Sequence, residues 1–178
     1  MKPSPQWIKT LKDNEVFVFG SNESGIHGAG AAYQAMQFGA VYGKAEGPQG
    51  RTYAIPTKDK DINHSLPLQK ISKYVKNFIA YAKKNSEKIF LVTEIGCGLS
   101  NFKPAEIAPL FHEATQLENV HLPKRFIEVK LSLTNNQFKN ISKYKTVPKL
   151  SLRFGMNNSL EEFYLERLSG LLLEEVKD

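Results

Sequence analysis

Residues 15–36 read EVFVFGSNESGIHGAGAAYQAM, and this stretch restricts the fold more than any other in the chain. Val16-Phe17-Val18-Phe19 is an apolar run with no polar alternation, as expected of a central strand covered on both faces. It ends in Gly20, and after a polar loop Gly28-Ala29-Gly30-Ala31-Ala32 opens a helix expected to reach about Phe38. Glycine at such a crossing serves a tight turn, close packing of helix on sheet, or close approach of a ligand to the backbone. A second crossing repeats the arrangement. Ile89-Phe90-Leu91-Val92 is another unbroken apolar run, and Gly96-Cys97-Gly98-Leu99-Ser100 follows it. Packing explains one such loop, but not a matching loop at a second strand.

The remaining periodicities alternate in the same way. Thr52-Tyr53-Ala54-Ile55 reads as a short strand stopped by Pro56, after a loop punctuated by Gly39, Gly43, Gly47-Pro48 and Gly50. From Leu66 to Lys84, Ile71, Tyr74, Val75, Phe78, Ile79 and Ala82 recur at helical spacing with lysines opposite. Pro104 opens a further helix carrying Ile107, Leu110, Phe111, Ala114 and Leu117 on one face. Ile127, Val129, Leu131 and Leu133 alternate with polar residues, which predicts a half-exposed strand. The expected class is α/β, a three-layer α/β/α arrangement with a mixed or mainly parallel sheet. Residues 1–134 form this domain. Residues 135–178 are expected to be a basic linker and an amphipathic helix begun by the capping box Ser159-Leu160-Glu161-Glu162, packed on the domain or used to assemble a homodimer.

At 178 residues the chain suits one domain with a modest appendage. Its net charge of +6 suits a phosphate-bearing ligand, and no dense Lys/Arg stripe interleaved with aromatics points to a dedicated nucleic-acid surface. No apolar stretch is long enough to span a bilayer, and the N-terminal residues show no apolar signal region. Cys97 is the single cysteine, so no internal disulfide forms and a reducing cytoplasm is the expected setting. His27, His64, His112 and His121 lack metal-ligand spacing, and no metal or cofactor is expected.

Familiar nucleotide motifs fail. Tyr33 stands where a dinucleotide fingerprint has its third glycine or alanine. Gly39-Ala40-Val41-Tyr42-Gly43-Lys44-Ala45 is one residue short of a phosphate-binding P-loop and lacks its magnesium-holding hydroxyl. Gly20-Ser21-Asn22 does not flank its serine as a nucleophile elbow does.

Three segments together resemble the macrodomain superfamily, which binds ADP-ribose, and within it the branch of terminal ADP-ribose protein glycohydrolase and the DNA ADP-ribosylation antitoxins. SNESGIHGAGAAYQAM is similar to that branch's first phosphate loop, TYAIPTK to its short strand ending in Thr-Lys, and TEIGCGLSNF to its second phosphate loop. The resemblance covers roughly residues 14–133. It implies that Gly28, Ala29 and Gly30 present amides to one phosphate, and that Gly96, Cys97, Gly98 and Leu99 cradle the other phosphate and the distal ribose. It also implies that Asn22 touches the ribose and that Phe102 stacks on it; Ser21, His27 and Ser100, in or beside the same loops, are expected at the ligand as well. Lys58 aligns with the lysine that attacks the anomeric carbon in the hydrolase branch.

One departure bears on chemistry. Where the glycohydrolase has an aspartate after Ile-Gly-Cys-Gly-Leu, this chain has Ser100, which does not titrate near neutral pH. Glu94, Glu46, Asp59 and His27 are the candidates for a proton partner. The expected function is binding of ADP-ribose or a related NAD-derived nucleotide, with removal of ADP-ribose from protein or nucleic acid as the catalytic version. A non-catalytic reader of ADP-ribose is the alternative, and an assembly protein with no nucleotide is the third.

Overall fold

The computed structural model describes residues 2–129. Five strands form one mixed sheet: β1 (Glu15–Asn22), β2 (Gly47–Gln49), β3 (Thr52–Lys58), β4 (Ile89–Val92) and β5 (Val120–His121). Their order across the sheet is β2-β3-β1-β4-β5. β1 runs parallel to both β3 and β4, β5 is parallel to β4, and only β2 is antiparallel, at one edge. The helices are α1 (Gly30–Met36), α2 (Leu68–Lys84) and α3 (Pro104–Ile107).

Alternate side chains of β1 go to opposite faces. Phe17 and Phe19 join Ala54 and Leu91 in a cluster closed by Ala32 and Ala35 of α1 and by Phe38. Alanine on the inner side of α1 lets the helix lie close to those rings. On the other face, Tyr53 and Phe90 meet Phe78 of α2 with ring centroids 5.2 and 5.6 Å apart, and Phe78 reaches Phe111 at 6.3 Å. Phe111 in turn packs on Phe126. The sheet is therefore covered on both sides, and the apolar runs of β1 and β4 are explained by their central positions.

Three expectations need correction or extension. β3 does not stop at Pro56 but continues to Lys58. β2 reaches only as far as Ala54, so at Pro56 the sheet has a strand neighbour on the β1 side alone, and the missing N–H breaks no β2 ladder. The helix expected from Pro104 ends at Ile107 and gives way to two 3₁₀ turns, Ala108–Phe111 and Glu113–Gln116. Pro109 causes the change, because it has no N–H to continue an α-helical ladder. Residues 124–129 are helical rather than extended, with the amides of Phe126 and Ile127 donating to the Pro123 carbonyl. Phe126 is the buried residue of this helix, and the alternation further on conceals the helical start. β2, within the Gly/Pro loop, and the two-residue β5 lacked a periodic signal. Residues 130–178, with the expected C-terminal helix, lie outside the described residues.

Candidate functional site

The carboxyl ends of β1, β3 and β4 open on one cleft of about 340 Å³, within the size range of small-molecule sites. The two glycine loops meet there. A Cβ placed on Gly20 would stand 3.6 Å from the Gly96 nitrogen. Of the residues expected at a ligand, Ser21, Asn22, Gly28, Ala29, Lys58, Gly96, Gly98, Leu99 and Ser100 line this cleft. His27, Gly30, Cys97 and Phe102 do not.

Glycine has a different reason at different positions. Gly96 has φ +75, and a Cβ there would press on Ile107 and Phe102 at 3.2–3.3 Å, so its small size is a packing requirement. Gly30 has φ +56, a conformation that favours glycine as α1 begins. Gly28 and Gly98 have no positive φ, and a Cβ on either meets nothing within 4 Å. Neither crowding by the protein nor backbone conformation demands glycine at these two positions. Among the described residues, the amides of Gly28, Ala29, Gly98, Leu99 and Ser100 donate to no protein acceptor. Unpaired amides lining one concavity are suited to an anion.

The cleft rim is tied together by hydroxyls. Thr57 Oγ1 and Ser100 Oγ are 2.8 Å apart, Thr57 also donates to the Ser21 carbonyl at 3.3 Å, and Ser65 Oγ donates to the Ser100 carbonyl at 2.7 Å. Between Ser21 and Asn22 the β1/β3 register jumps from Pro56 to Lys58, so Thr57 is the extra residue of a bulge that aims Thr57 and Lys58 at the cleft. The sequence carried no separate signal for Thr57 and Ser65, because hydroxyls spread over three segments are assembled only by the strand order.

The Asn22 amide holds its own loop. Oδ1 accepts the amides of Ser24 and Ile26 at 3.2 and 2.9 Å, and Nδ2 donates to the Ile26 carbonyl at 2.7 Å. Lys58 Nζ donates to the Ile62 carbonyl at 2.9 Å, and Ile62 itself has φ +62, an outlying conformation for a β-branched residue. Lys58 thus spans from the end of β3 to a strained turn beside the cleft.

His27 is in the core rather than at the cleft. It is 2% exposed, its ring stands edge-on to Phe19 at 5.1 Å, and Nε2 lies 3.2 Å from Ser21 Oγ. Nδ1 has no partner, and burial pushes its pKa below the ordinary value. A neutral ring donating from Nε2 to Ser21, whose own hydrogen goes to the Asn22 carbonyl at 3.3 Å, leaves only a bare lone pair at Nδ1. Cys97 is half-buried, and burial first, then Glu94, raises its thiol to about 11, so it is no thiolate near neutral pH. Phe102 packs near Gly96 and donates its amide to the Gly96 carbonyl at 3.0 Å.

Two charged residues, Lys58 and Glu94, are among those lining the cleft. Glu94 Oε2 is 2.7 Å from Arg125 Nη1. No described helix is long and apolar enough to cross a membrane. Compared with protein-family models the chain matches none, and no curated protein matches it either.

Proposed function

We propose that this chain binds ADP-ribose, or a related nucleotide diphosphate sugar, in the cleft at the carboxyl ends of β1, β3 and β4, as a macrodomain-like protein of the cytoplasm. One observation carries the reading: two glycine loops, each with unpaired amides, line the same cleft, and Gly28 and Gly98 are glycine with no packing or conformational need. Backbone amides from two loops hold the diphosphate, as ligands in open α/β sheets are held where neighbouring strand-end loops part. The catalytic version releases ADP-ribose from a modified protein or nucleic acid, with Lys58 as the nucleophile at the anomeric carbon. The second reading is a non-catalytic reader. It is favoured by the engagement of Lys58 Nζ with the Ile62 carbonyl and of Ser100 Oγ with Thr57.

Calorimetry with ADP-ribose tests the shared claim. Wild type is expected to bind, whereas Gly28→Val and Gly98→Val fold normally and lose most of the affinity. No heat from wild type at millimolar ADP-ribose would sink the reading. Incubation with an ADP-ribosylated protein or DNA oligonucleotide separates the two versions, since only an enzyme releases the nucleotide.

A further inference from the structure

Hydrolysis at an anomeric carbon needs a group that takes a proton from water, and Ser100 does not titrate in the working range. The acids and bases near the cleft are otherwise committed. His27 is sealed in the core. Asp59 Oδ1 accepts the amides of Asn63 and His64. Glu46 accepts from Asn77 Nδ2 at 2.9 Å, and Glu23 is bound by Lys70 and Tyr74. Of these groups only Glu94 lines the cleft, on the same loop as Gly96 and Gly98 and together with Lys58.

We propose that Glu94 is the general base of this cleft and that Arg125 is its positioning residue. The proposal rests on the catalytic version of the reading above. Arg125 Nη1 holds Oε2 at 2.7 Å, which fixes the carboxylate and leaves Oε1 outside the ion pair to accept a proton. In the first step Lys58 Nζ, as its amine, forms a bond to the anomeric carbon as that carbon's bond to the carried group breaks. The electron pair leaves with the carried group. The proton lost by Nζ passes to Glu94 and then to the departing group. In the second step a water oxygen bonds to the same carbon as the carbon–Nζ bond breaks. The water proton passes through Glu94 to Nζ, so the lysine returns as its amine, Glu94 is regenerated and nothing is oxidised or reduced.

The test compares wild type, Glu94→Gln, Arg125→Ala and Arg125→Lys for ADP-ribose binding by calorimetry and for release from an ADP-ribosylated protein and an ADP-ribosylated DNA oligonucleotide. Glu94→Gln is expected to bind ADP-ribose within about threefold of wild type and to release it at least about 100-fold more slowly. Arg125→Ala should lower kcat with KM little changed, and Arg125→Lys should restore part of the rate. Retained ADP-ribose binding certifies that each variant is folded. If wild type binds and releases while Glu94→Gln matches its rate, the assignment of Glu94 is wrong and the reading of the cleft stands. Binding by wild type with release from neither substrate also overturns the assignment. If wild type does not bind ADP-ribose at all, the reading of the cleft itself falls.

Discussion

Thr57 Oγ1 lies 2.8 Å from Ser100 Oγ, both buried, and this contact joins the end of β3 to the loop that follows β4. The two strands are not neighbours, since β1 runs between them. The hydroxyl pair therefore fixes the spacing of the cleft walls across the central strand. Thr57→Val keeps the shape and removes the hydroxyl, leaving Ser100 without its partner. Denaturant titration is expected to give a loss of about 1–3 kcal/mol, the cost of an unsatisfied buried polar group. Thr57→Val with Ser100→Ala should cost less than the sum of the two single changes, because the double variant leaves no orphan.

Gly25 and Gly28, three residues apart, should respond in opposite ways to a side chain. Gly25 has φ +67, and a Cβ there would lie 2.5 Å from the backbone of Gly43 and Lys44. Gly25→Ala must displace main chain and is expected to destabilise the fold by about 2–4 kcal/mol. Gly28→Ala meets open space and should leave stability within about 0.5 kcal/mol of wild type. Thermal unfolding of the two variants side by side checks this contrast. A large loss from Gly28→Ala would make that glycine structural and weaken the case for a ligand.

The parts of this architecture that were legible in the sequence are those set by local pattern. The apolar runs of β1 and β4 and the helical stripe of α2 are continuous in the chain, so periodicity locates them. Both glycine loops were visible for the same reason, although their shared cleft depends on β1 and β4 being adjacent. Long-range packing decided what was missed. His27 reads as a ligand contact, yet Phe19 and Ser21 draw its ring into the core. Asn22 reads as a ligand contact, while its amide is spent on three bonds within its own loop. Tyr33 is 68% exposed because Ala32 and Ala35 occupy the inner face of α1.

Glu23 connects the first glycine loop to α2. Its carboxylate lies 2.6 Å from Lys70 Nζ and accepts from the Tyr74 hydroxyl at 2.7 Å, and the Lys70 hydrogen bond, then that of Tyr74, lowers its pKa. A carboxylate with a lowered folded pKa contributes stability above its unfolded value, near 4.5, that is lost as pH falls toward the folded value. Lys70 is about half exposed, so screening limits the contribution to about 0.5–1 kcal/mol. Glu23→Gln is expected to lower the Tm slightly at pH 7, and its difference from wild type should shrink as pH falls below 4.5. A salt titration should shrink the pH 7 difference.

His27 predicts a separate pH dependence at milder acidity. Its folded pKa is lowered by burial, so below the ordinary value of about 6.5 the unfolded chain takes up a proton that the folded chain does not. The stability contribution is intact above that pH and declines as pH falls from there toward the folded value, by at most about 1.4 kcal/mol per pH unit for one such group. His121 is also lowered, chiefly by burial, and acts in the same direction. Wild type should therefore lose stability between pH 7 and pH 5, and His27→Phe and His121→Phe should each remove part of that slope. His27→Phe keeps an aromatic ring against Phe19 and eliminates the unpartnered Nδ1, but gives up the Ser21 bond. Its stability at pH 7.5 should consequently stay within about 1–2 kcal/mol of wild type. If the urea midpoint of His27→Phe falls as steeply as that of wild type between pH 7 and pH 5, the ring is not held neutral in the core.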